Sequence, residues 1–108
     1  MAEQPKILTV DDRPENLFAL RRVLADLDVD IVEAGSGNEA LAATLTADFA
    51  VAILDVHMPG MDGYELADLL RGDPQTRRLP IVFLTAAYGE QVHVFRGYEA
   101  GAVDYIVK

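Results

Sequence analysis

Three short runs, Ile7-Leu8-Thr9-Val10, Val51-Ala52-Ile53-Leu54 and Ile81-Val82-Phe83-Leu84, are apolar almost without interruption. A strand with one face in water alternates apolar and polar side chains, whereas a parallel strand covered on both faces does not. Such runs predict central strands of a parallel sheet with helices on both sides, which restricts the chain to α/β architectures. Five strands are read, at Lys6–Val10, Asp30–Glu33, Ala50–Leu54, Pro80–Leu84 and Ala102–Val107.

Between the strands the apolar spacing becomes helical. Pro14 suits a first helical position, and Leu17, Leu20, Leu24 and Leu27 form a stripe expected to be core. Ser36, followed three residues later by Glu39, reads as a capping box opening a second helix through about Ala47, with Ala40, Leu41 and Leu45 facing inward. A third helix is expected over about Gly63–Arg71 and a fourth over about Gly89–Ala100, the last weakened by Gly97, Val92 and Val94. Strict alternation with short connections implies right-handed crossovers and a doubly wound five-stranded parallel sheet. The 108 residues suffice for one core, so residues 1–108 are taken as one domain.

Ligands of open α/β sheets bind beyond the carboxyl ends of the strands. There, four strands run directly into Asp11-Asp12, Asp55, Thr85 and Lys108. Converging carboxylates repel one another unless a cation offsets them, and a donor set made only of oxygens selects a hard cation such as Mg²⁺. The same groups suit phosphoryl transfer, in which an attacking aspartate and a phosphate must be brought together against their charges. Pro59-Gly60 and Asp62-Gly63 then turn the chain sharply after Asp55. The chain has no cysteine, which excludes disulfides, thiolate nucleophiles and thiolate-bound zinc. Eighteen acidic against nine basic residues leave a net charge of -9, which opposes direct binding to nucleic acid. No apolar run approaches the roughly 18–20 residues of a membrane span, and MAEQPK is no secretory signal, so the expected location is the cytoplasm.

The segments VDDRPEN, LDVHMPGMDG, FLTA and AGAVDYIVK, in this order and at these distances, resemble the receiver domain of bacterial two-component response regulators over residues 5–108. The resemblance implies a flavodoxin-like strand order of 2-1-3-4-5, with Asp55 accepting a phosphoryl group from a sensor histidine kinase or phosphotransfer protein. It implies Mg²⁺ held by Asp11, Asp12, Asp55 and the backbone carbonyl of His57. Thr85, the amide of Ala86 and Lys108 would contact the phosphoryl oxygens, and movement of Thr85 coupled to Tyr105 would reshape the output surface. Such a domain promotes its own phosphorylation and dephosphorylation and is a switch rather than an enzyme. Family members continue past the lysine with a proline and a fifth helix, whereas this chain stops at Lys108. An apolar sheet face left uncovered is expected to favour a homodimer.

Plainer readings stand beside these. Asp11-Asp12 would serve equally as an N-cap pair for the helix at Pro14, Thr85 as a loop cap and Lys108 as a solvated chain end. His57 and His93 read as surface residues, and Met58 and Met61 as loop packing. Two other functions share the fold or the chemistry. A Mg²⁺-dependent phosphohydrolase of the haloacid-dehalogenase type needs a second aspartate two residues after the nucleophile, where this chain has His57. A docking module that has given up phosphorylation need not keep all of these site residues.

Overall fold

The computed structural model describes residues 4–85 and 104–107, with Thr85 and 104–107 described by their backbone. β1 (Lys6–Val10), β2 (Asp30–Ala34), β3 (Val51–Asp55), β4 (Ile81–Thr85) and β5 (Asp104–Val107) form one parallel sheet in the order β2-β1-β3-β4-β5. Three helices join the first four strands: α1 (Pro14–Val23), α2 (Gly37–Thr44) and α3 (Gly63–Gly72). The order implied by the family resemblance is the one observed. Each strand lies within two residues of its expected bounds at either end. The fourth helix expected over Gly89–Ala100 falls outside the described residues.

Why the central strands carry no polar alternation is visible in their register. Leu8 pairs with Val32 and Ala52, and Leu54 pairs with Val10 and Phe83. One face of the sheet, with Leu8, Val10, Ala52, Leu54, Ile81 and Phe83, closes on Ala40 of α2 and on Tyr64, Leu66, Ala67 and Leu70 of α3. Tyr64 and Phe83 meet at 4.9 Å between ring centroids with planes tilted by 54°, the offset geometry that aromatic quadrupoles favour. Fully burying a side chain of this size stabilises by about 1.5–3 kcal/mol, so this face carries much of the driving force for folding.

The opposite face is covered less completely. Among the described hydrophobic and hydroxyl side chains Ile7, Thr9 and Leu84 are buried there, whereas Val51, Ile53 and Val82 are only half-buried. Here the leucine stripe of the first helix needs correction. No residue of α1 is fully buried; Leu17, Leu20 and Leu24 are half-buried, and Leu27 is 54% exposed. The reason is local: the helix ends at Val23 with Leu24 as its C-cap, so Leu27 lies beyond the helix and off its face.

The second helix is also shorter than its sequence pattern, stopping at Thr44 rather than Ala47. Thr44 and Thr46 donate their hydroxyls to the carbonyls of Leu41 and Ala43, local bonds that compete with the helical ladder. Leu45, expected to face inward, is 75% exposed because it follows the last turn, where the chain already bends toward β3. Ala40 is buried and Leu41 packs against the core, as the pattern required.

Candidate functional site

In a parallel sheet all carboxyl ends lie on one edge, and here the connections leave β1 toward β2 on one side and β3 on the other. That is the switch point where open sheets form their ligand crevice. Asp11 follows β1 directly and Asp55 is the last residue of the adjacent β3. Their ligand oxygens and that of Asp12 all lie within 4.8 Å of one another. Asp11 is 0% exposed and Asp55 4%, whereas Asp12 faces solvent. At an effective protein dielectric of about 20, two buried unit charges this close repel by about 3–4 kcal/mol. Three carboxylate oxygens gathered this closely form a donor set of the kind a hard cation takes.

Local bonds fix the acids in place. The amide of Asp11 donates to the carbonyl of Ala34 at the end of β2, and one Asp11 carboxylate oxygen accepts from the amide of Arg13 at 3.0 Å. That i to i+2 bond is an Asx-turn, which swings the chain out of β1 and into α1. It answers the capping alternative. The N-cap of α1 is Arg13, which contributes no side-chain bond, so neither aspartate caps the helix.

On the other side, the amide of Val56 donates to Leu84 of β4, carrying the ladder one residue past Asp55. The loop then turns at Gly60, whose φ of +78° is the left-handed region that glycine enters without penalty. His57 is exposed at the start of this loop, Met58 is buried, and Met61 is half-buried beside Gly37. The histidine is thus at the surface and both methionines pack, as expected. The loop closes where the amide of Gly63 donates to the carbonyl of Val56 at 3.0 Å.

A capping box also anchors this loop, though not the one the sequence pattern singled out. Asp62 accepts from the amide of Glu65 at 2.8 Å, and the Glu65 carboxylate accepts in return from the amide of Asp62. At the second helix Ser36 does accept from the amide of Glu39, but the Glu39 carboxylate reaches past Ser36 to the amide of Gly35. The Asp62–Glu65 spacing satisfies the same sequence rule and was legible in principle. The close approach of Gly63 to the strand was not, because a D-G pair reads only as a turn.

The remaining site residues are placed in part. Thr85 ends β4, one residue beyond Leu84, the register partner of Asp55; Tyr105 lies in β5 opposite Phe83. Ala86 and Lys108 lie outside the described residues, as does His93. A cleft of about 280 Å³ lined by Phe49, Thr76, Leu79 and Pro80 lies at the opposite edge, where β3 and β4 begin, and takes no part in the acid cluster. No helix among the described residues is long and apolar enough to cross a membrane.

Comparison with known proteins shows the family and the fold. The sequence profile of the response regulator receiver domain matches residues 7–108. The transcriptional regulatory protein ResD of Bacillus subtilis (strain 168) is 41% identical over 105 residues, which cover 97% of this chain and 42% of ResD. The chain therefore spans well under half the length of that relative. Chemotaxis protein CheY4 of Vibrio cholerae superposes with a TM-score of 0.91 at 33% identity, over 97% of this chain and 87% of that one. The response regulator TrrA of Thermotoga maritima, solved in complex with Mg²⁺-BeF, gives a TM-score of 0.84 at 31% identity, again over 97% and 87%. The chain belongs to the response regulator receiver domain family, the phosphorylation-dependent switch of two-component signalling.

Proposed function

We propose that Asp55 is the phosphoacceptor and that it takes its phosphoryl group from the phosphohistidine of a sensor kinase or phosphotransfer protein. The observation that carries this reading is the trio of carboxylates, two of them buried, gathered within 4.8 Å at the switch point of the sheet. In the transfer, an Asp55 carboxylate oxygen forms a bond to phosphorus as the bond from phosphorus to the imidazole nitrogen breaks, and that nitrogen then takes a proton from water.

The donor chemistry fits Mg²⁺, a hard cation commonly held by one or two carboxylates plus waters and phosphate oxygens. Asp11, Asp12, Asp55 and the carbonyl of His57 would hold it, and when bound it supplies positive charge against the carboxylates and the incoming phosphoryl oxygens. Support comes from TrrA, whose solved complex contains Mg²⁺-BeF. The chain's own residues do the rest. Asp11 keeps its oxygen aligned through the Arg13 amide, and β3 presents Asp55 at the edge of the crevice. Thr85, the amide of Ala86 and Lys108 are proposed to contact the phosphoryl oxygens, and Thr85 with Tyr105 to relay the change to the output surface. One domain over residues 1–108 performs these steps, in the cytoplasm, and its net charge of -9 disfavours direct contact with nucleic acid.

The test is intact-mass measurement after incubation with Mg²⁺ and acetyl phosphate. The parent is expected to gain one phosphoryl mass and Asp55→Asn none. A gain in neither protein would leave a docking module. Continuous release of phosphate from many esters would instead indicate a hydrolase.

A further inference from the structure

Gly63 is buried at the first position of α3, with its amide bonded to the carbonyl of Val56. A methyl group built on its α-carbon would stand well inside 3.0 Å of the backbone oxygen of Asp55, and at 3.1 Å from both the Asp55 carbonyl carbon and the Val56 α-carbon. These neighbours are backbone, and they sit in a ladder that continues past Asp55 through the Val56 amide to Leu84. They have no rotamer into which to retreat.

We propose that Gly63 is a positioning residue for Asp55: the start of α3 lies directly on the acceptor's own peptide and thereby fixes where its carboxylate stands relative to Asp11 and Asp12. The inference rests on the metal-assisted reading above. Sites of this kind must be held within about 0.5 Å. A side chain at residue 63 would have to lift α3 or rotate the peptide between Asp55 and Val56, and either movement displaces both the Asp55 carboxylate and the loop that carries His57.

Two other glycines provide contrasts. A methyl group on Gly37 would meet mainly the sulfur and γ-carbon of Met61, which can rotate aside, with the Met61 β-carbon at 3.1 Å. One on Gly72, at the end of α3, would meet nothing within 4 Å. A perturbation of packing in general should therefore appear at Gly37 as well, whereas a perturbation of the acid cluster should be confined to Gly63.

The experiment is titration calorimetry with Mg²⁺ and, separately, Ca²⁺ on the parent, Gly37→Ala and Gly63→Ala. Circular dichroism and thermal unfolding would verify that each is folded. Gly63→Ala is also made in a Gly72→Ala background, which should strengthen α3 and keep the variant folded. Loss of a group that orients a ligand typically costs about 10–100-fold in metal affinity. Mg²⁺ demands near-ideal octahedral geometry whereas Ca²⁺ tolerates distortion. The expected result is thus at least a tenfold weaker Mg²⁺ affinity in Gly63→Ala, a smaller change for Ca²⁺, and little change for either ion in Gly37→Ala. Unchanged Mg²⁺ affinity in folded Gly63→Ala, or equal losses for both ions, would overturn the positioning role while leaving the metal reading intact. A parent with no Mg²⁺ affinity would instead overturn the metal reading, and this inference with it.

Discussion

Thr9 sits on β1 two residues before Asp11, fully buried, and its hydroxyl has no hydrogen-bond partner among the described residues. A buried hydroxyl left unpaired costs about 1–3 kcal/mol, and an isosteric apolar replacement is commonly neutral or stabilising. Thr9→Val is accordingly expected to raise stability by about 1 kcal/mol, or roughly 4–8 °C in melting temperature for a domain of this size, in a thermal unfolding scan. A lowered melting temperature would mean that the hydroxyl is bonded after all. The identity of Thr9 was plain in the sequence, but its isolation was not, since whether a hydroxyl is paired depends on residues distant in the chain. Asp11, Asp12 and Asp55 were legible because each stands at or just past the end of an apolar run.

At the scale of elements, α3 is secured at both ends. Asp62 and Glu65 exchange their bonds at its start. At its finish one guanidinium nitrogen of Arg71 donates to the carbonyls of Arg77 and Leu79 at 2.6 and 2.7 Å, and the buried Thr76 hydroxyl donates to Leu70. Partial burial of the Arg71 guanidinium lowers its pKa below the ordinary arginine value. The N-cap matters beyond stability because α3 leans on Asp55. Asp62→Ala is expected to cost about 1 kcal/mol, the usual penalty for losing an N-cap side chain, measured as a shift in the urea midpoint at constant slope. A change below about 0.3 kcal/mol would mean that the Gly63 amide bond to Val56 holds the helix start without the cap. The periodicity rules located this helix to within a residue. They overran α2 because two threonine hydroxyls turn the chain back on itself.

At the scale of the whole molecule, the three carboxylates gathered within 4.8 Å are proposed to hold a cation, and such binding would couple to folding. A ligand that binds the folded state alone stabilises it by mass action, by about 2.7 kcal/mol at one hundred times its dissociation constant. Saturating Mg²⁺ should therefore raise the melting temperature well above that in sodium chloride of equal ionic strength. Asp12→Ala should abolish the difference while changing the metal-free melting temperature little, because Asp12 is exposed and surface substitutions usually fall within about 0.5 kcal/mol. Equal melting curves with and without Mg²⁺ in the parent would remove the basis for a metal site.

The sequence by itself determined the architecture. Nearly uninterrupted apolar runs suit strands with helices on both faces, and helical spacing between them favours a parallel sheet. It also placed acids at the strand ends, because that follows from chain order. What only the tertiary structure decided is how unevenly α1 covers its face of the sheet, which helix closes a full capping box, and how tightly the backbone of Gly63 meets that of Asp55. Those depend on separations between segments remote in sequence, which neither periodicity nor residue type encodes, because they are set by how whole elements come to rest against one another.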